Sequence, residues 1–134
     1  MEETFTLPSR IESVDIAASR ADEFAKRTGL GDEFISSIDL AVRESVANAV
    51  KHGNKLDESK VVEIRLIRNE GGFEMYVRDF GSGFDPDAIP DPTDPANLLK
   101  DSGRGLLFMR AFMDVIEWSS PEGGGTLVRM VKLQ

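Results

Sequence analysis

Apolar and polar positions recur along this chain with two different periods, and each change of period marks an element. Residues 4–7, Thr-Phe-Thr-Leu, alternate and stop at Pro8, which predicts a short edge strand. From Ser9 onward the period lengthens. Ile11, Val14, Ala18, Ala21 and Ala25 recur at helical spacing, Ser9 and Glu12 stand at capping-box separation, and Gly29 and Gly31 close the run. Asp32 is placed to cap a second helix reaching about His52, with Ile38, Val42, Ser45 and Ala49 as its core stripe and Gly53-Asn54 as its stop. After a polar loop over 54–60, alternation returns. Val62, Ile64 and Leu66 share one face of a strand over 61–68, and Phe73, Met75 and Val77 share one face of its partner. The turn between them is Asn69-Glu70-Gly71-Gly72. Asp79 keeps the phase of the apolar set, so the pattern aims a carboxylate at the core side of a strand end.

Residues 80–101 break the alternation. Pro86, Pro90, Pro92, Pro95 and five aspartates fall there, and a loop of that length inside a compact domain is commonly a functional lid, here expected over 86–101. Ser102-Gly103-Arg104-Gly105 then opens a helix to about Phe112. A strand follows over 115–119, a turn over 121–125 and a last strand over 126–133. Consecutive hairpins and segregated helices predict an α+β two-layer sandwich: a mixed, mostly antiparallel sheet with its helices on one face. With 134 residues and no internal repeat, the expectation is a single domain over 1–134.

Composition narrows the chemistry. The chain has no cysteine, which removes disulfides, thiolate metal sites and thiol nucleophiles, and its one histidine, His52, removes a multi-histidine metal centre. No apolar run approaches the roughly 20 residues of a membrane span, and the N-terminal residues lack a secretory pattern, so the expected compartment is the cytoplasm. The formal net charge of −8 opposes direct nucleic-acid binding and anionic membranes and favours basic protein partners.

Four short constellations carry candidate chemistry. Glu44 and Asn48 stand one turn apart on one helix edge, with His52 a further turn along at regular helical spacing. That edge is either a solvated flank or a pair of oxygen donors suited to Mg²⁺. Asp79-Phe80-Gly81-Ser82-Gly83 is either an ordinary turn or a buried carboxylate awaiting a ligand amine, followed by glycines that let backbone approach a ligand closely. Ser102-Gly103-Arg104-Gly105 opens a helix whose free N–H groups suit an anion, although simple capping by Ser102 accounts for the same residues. It is neither a P-loop nor a dinucleotide fingerprint. Gly123-Gly124-Gly125-Thr126 is a hairpin turn that can also bring the Thr126 hydroxyl near Asp79.

Taken in order, the four resemble the GHKL ATPase superfamily of gyrases, histidine kinases and heat-shock chaperones. The compact chain, and the stretch from Ser102 through Met113-Asp114, is most similar to the bacterial anti-sigma factor serine/threonine kinases. The resemblance implies ATP and Mg²⁺ as cofactors. It makes Asn48 the metal-coordinating residue, Glu44 the general base, and Asp79 the acceptor of the adenine amino group, supported by Thr126 through water. Gly81 and Gly83 would pack against the nucleotide, Ser102, Gly103, Arg104 and Gly105 would surround the phosphates, and His52 would serve as support. It implies phosphorylation of an anti-anti-sigma (STAS) protein, sequestration of a sigma factor, and a homodimer as in many relatives. One departure stands out: Asp101 occupies the place where some members carry an arginine that reaches the γ-phosphate. The rival expectations are an ATP-sensing switch without phosphotransfer, a sensor histidine kinase domain (disfavoured because His52 lies inside the nucleotide motif), and a structural α+β domain.

Overall fold

The computed structural model describes residues 1–81, 109 and 111–134. Strand β1 spans Glu2–Pro8, helix α1 Glu12–Arg27 and helix α2 Asp32–Asn48, and α2 runs on into a π-helical turn over Ala49–Gly53. Strands β2 (Val61–Asn69), β3 (Gly72–Arg78), β4 (Val115–Ser119) and β5 (Leu127–Leu133) follow. They form one five-stranded sheet in the order β1-β2-β3-β5-β4, and every pairing is antiparallel.

The register explains which face became the core. Phe5 pairs with Ile64, Ile64 with Val77, Val77 with Val128 and Val128 with Trp118, so one inward row crosses all five strands. That face packs with Ala17, Ala18, Ala21, Phe24 and Ala25 of α1 and Ile38, Ala41, Val42 and Val46 of α2 in a single core. Small residues on α1 allow close approach to its neighbours, and Phe24 fills the remaining depth edge-on against Phe73, ring centroids 6.1 Å apart. No described helix is long and apolar enough to cross a membrane.

Helix starts differ from the sequence expectation. Ile11, not Ser9, precedes α1, and it is exposed. The Ser9 amide donates to Lys60 O instead, Ser9 itself is buried, and Ser13 Oγ donates to Pro8 O. Continuation of the β1–β2 pairing therefore competes successfully for Ser9, and no capping box forms. Likewise Gly31 is the N-cap of α2, and Asp32 sits in the first turn beside Glu33, where its charge favours the helix dipole without capping it. The turn between β2 and β3 is as expected, with Asn69 paired to Gly72.

Candidate functional site

Asp79 follows directly from β3 and is buried, 5% exposed, on the core side. The adjoining chain continues the ladder, because the Asp79 amide donates to Thr126 O at 3.0 Å. Asp79 Oδ1 in turn accepts from the amides of Gly81 (3.1 Å) and Thr126 (3.2 Å). Burial pushes the Asp79 carboxyl above the usual carboxylate range, and those two amides, with the charges of Lys60 and Arg78, draw it partly back. Three glycines make this crowding possible. A Cβ on Gly53 would overlap the Asp79 carboxylate, one on Gly81 would overlap the Gly53 carbonyl, and one on Gly125 would overlap the Asp79 carbonyl. Gly125 also holds φ at +84°, in the left-handed region.

Glu44 and Asn48 lie on the last two turns of α2. Both are half-buried, and neither side chain makes a hydrogen bond or ion pair among the described residues. Both offer hard oxygen donors, the type that Mg²⁺ accepts in small number alongside phosphate oxygens. The helix carrying them ends in the π turn, and that turn delivers Gly53 onto Asp79. His52 is exposed and takes part in no hydrogen bond among the described residues.

The structure thus brings together Asp79, Gly81 and Thr126, and docks against them the helix that holds Glu44 and Asn48. Gly83, Ser102, Gly103, Arg104, Gly105, Asp101 and the expected lid over 86–101 lie outside the described residues. Sequence reasoning missed three contributors. Gly53 and Asn54 read only as a helix stop, yet both touch the Asp79 segment. Arg78 falls outside the apolar set of its strand, yet its Nη2 donates to Glu122 O and Gly124 O at 3.2 Å each, holding the glycine turn beside Thr126, while its guanidinium lies over the Phe80 ring. A glycine at the end of a helix flags close approach in general; nothing in the sequence names what approaches.

A sheet covered on one face by helices, with a buried carboxylate at a strand end beside the terminus of a helix bearing an acid–amide pair, is the architecture of the histidine kinase-like ATPase domain. The model of that family matches residues 7–132, and the chain belongs to it. Its curated relatives are named for more specific tasks. The chain is 29% identical over 123 residues to the serine-protein kinase RsbW of Oceanobacillus iheyensis, covering 87% of this chain and 78% of the relative. It is 36% identical over 104 residues to the anti-sigma F factor of Clostridium perfringens, covering 75% and 73%. Among solved structures, a mycobacterial sensor histidine kinase, MprB, superposes with a TM-score of 0.57 over 99% of this chain and 97% of that one. At 19% identity that likeness speaks for the fold alone.

Proposed function

We propose that the protein is an ATP- and Mg²⁺-dependent serine/threonine protein kinase of the anti-sigma type, acting in the cytoplasm. It phosphorylates a small anti-anti-sigma (STAS) protein and sequesters a sigma factor. The observation that carries this reading is the docking of the Glu44–Asn48 helix, through Gly53, onto the buried Asp79 carboxylate. The names of the relatives supply the acceptor and partner classes.

On this reading Asp79 accepts from the exocyclic amine of adenine, and the donors on its Oδ1 keep the carboxylate turned to one position. The carboxamide oxygen of Asn48 holds Mg²⁺, which when bound neutralises phosphate charge. Glu44, one helical turn away, takes the proton from the acceptor hydroxyl as that oxygen bonds to the γ-phosphorus and the bond to the leaving ADP breaks. Little covalent work falls to the chain; positioning and charge account for the rate.

The test is single-turnover transfer to a STAS-domain acceptor at saturating ATP. Glu44→Gln preserves shape, so ATP affinity and sigma-factor capture are expected to survive while transfer falls roughly 10²–10⁴-fold. Wild-type protein that binds ATP and a sigma factor but transfers nothing would replace the kinase by a nucleotide-sensing switch, the reading that Asp101 favours. Transfer at the wild-type rate by Glu44→Gln would keep the enzyme and remove Glu44 as its base.

A further inference from the structure

Asn54 is the most thoroughly committed polar side chain next to this site. It is buried, 1% exposed, at the end of the π turn. Its Nδ2 donates to Val61 O at 3.0 Å, at the start of β2, and its Oδ1 accepts from the Phe80 amide at 2.8 Å, just past β3. Its own amide donates to Ala49 O at 2.8 Å, the i to i−5 bond that defines the wide turn. One residue therefore ties three segments: the end of the α2 helix, the first residue of β2, and the backbone between Asp79 and Gly81. Lys55 and Leu56 follow with φ of 53° and 61°, so the chain reverses immediately and the Leu56 amide donates back to Val50 O.

The consequence reaches the carboxylate. With Phe80 N held by Asn54, Gly81 is pressed against the Gly53 carbonyl, and Gly53 against the Asp79 carboxylate. Asp79 sits there with its Oδ1 against the Gly81 and Thr126 amides. We propose that Asn54 is a positioning residue for the adenine-reading carboxylate, and that the Asn54–Gly53 clasp couples the helix bearing Glu44 and Asn48 to the Asp79 strand end. The inference rests on the assignment of Asp79 to adenine made above. Asn54 touches no substrate; it acts through Asp79.

A residue that only stabilised the fold would weaken all nucleotides alike. A residue that aims Asp79 affects the choice of base, since a site built to pair a polar group loses discrimination when that group is misplaced. Isothermal titration of ATP and GTP with Mg²⁺ into the full chain reads this choice, with thermal melts alongside. Asn54→Ala is expected to reduce the ATP-over-GTP preference roughly tenfold, and to add nothing further in an Asp79→Asn background, the mark of two residues acting as one. Gly53→Ala gives a second route that leaves Asn54 intact. Gly53 does not hold a positive φ, and the atoms nearest the new methyl all belong to the Asp79 side chain. Its ATP preference is expected to fall similarly, and its melting temperature to recover in an Asp79→Ala background. If Asn54→Ala does not fold, Gly53→Ala decides the matter. Folded Asn54→Ala or Gly53→Ala protein that keeps the wild-type preference, while Asp79→Asn loses it, overturns the positioning role and leaves the adenine assignment standing. Wild-type ATP affinity in Asp79→Asn itself overturns the adenine assignment and this inference with it.

Discussion

Asp22 and Asp79 are two buried-side carboxylates with opposite provision. Asp79 has two backbone amides on Oδ1. Asp22, on α1, has its Oδ1 shut away from water with no hydrogen-bond partner among the described residues. The cation nearby is already engaged: Arg43 bonds Asp39 through Nε at 2.9 Å and Asp15 through Nη1 at 2.5 Å. Burial first, and then the facing Asp39 carboxylate, raise the Asp22 carboxyl from 3.8 to about 7, with Arg43 opposing. The folded chain thus keeps a proton that the unfolded chain releases near pH 4. Stability from this group is complete below that value and is lost as pH rises through about 7. Asp22→Asn carries its donor at every pH. Its melting temperature is expected to match wild type below about pH 4 and to exceed it by roughly a few degrees near pH 8, the partial solvent exposure of the site limiting the gain. An equal difference at both pH values would count against the shared proton.

At the scale of elements, the π turn and the glycine turn do the same work from opposite sides of Asp79. Ala49-Val50-Lys51-His52 reads as ordinary helix up to the Gly53-Asn54 stop, and nothing in these residue types demands a wider turn. The turn widens where Asn54 and Gly53 dock on the strand end, a long-range demand. The Gly123-Gly124-Gly125 turn was legible as a turn because three successive glycines suit positive φ, and all three adopt it. What the sequence hid is their inequality. A Cβ on Gly124 would meet nothing within 4 Å, whereas one on Gly125 would strike the Asp79 carbonyl. Gly124→Ala should therefore cost about 1 kcal/mol, the backbone strain alone. Gly125→Ala should cost at least about 2–3 kcal/mol, because the Asp79–Thr126 ladder must also shift. Urea unfolding of the two variants checks this; equal losses would mean that the close approach to Asp79 carries no energy.

Across the whole molecule, the two sheet faces are held by different physics. The inner face is a core in which Leu66 and Met75 are fully buried. The outer face carries a row of charges that spans every strand: Glu2 with Arg65 at 2.7 Å, Arg65 over the Tyr76 ring, Tyr76 to Glu74 at 2.7 Å, and Arg129 to both Glu74 and Glu117. Bonding to Tyr76 and Arg129 holds the Glu74 carboxyl below its usual range despite partial burial. Exposed pairs of this kind contribute about 1 kcal/mol or less each. Leu66→Ala is therefore expected to lose about 2–5 kcal/mol, and Arg129→Met no more than about 1 kcal/mol, a loss that shrinks further in high salt. Denaturant titration at low and high salt separates the two, and a larger, salt-insensitive loss in Arg129→Met would show the outer row to be structural.

Periodicity in the chain alone determined the strands, the two-residue turn between β2 and β3, the core stripe of α2, that of α1 apart from the exposed Ile11, and the inward phase of Asp79. Each depends on neighbours within a few positions, and burial selects one face of a local pattern. The same locality made Glu44 and Asn48 legible as neighbours one turn apart on α2. Tertiary structure decided the rest. Ser9 makes no cap: its amide extends the β1–β2 pairing to Lys60 O, from a loop about 50 residues away, and its Oγ is buried with no partner among the described residues. Phe24 became a core residue through its contact with Phe73. The end of α2 widened into a π turn where Gly53 meets Asp79. A short-range pattern specifies which face of an element is apolar; which residues of distant elements then compete for the same hydrogen-bonding groups and the same few ångströms is settled only when the elements pack.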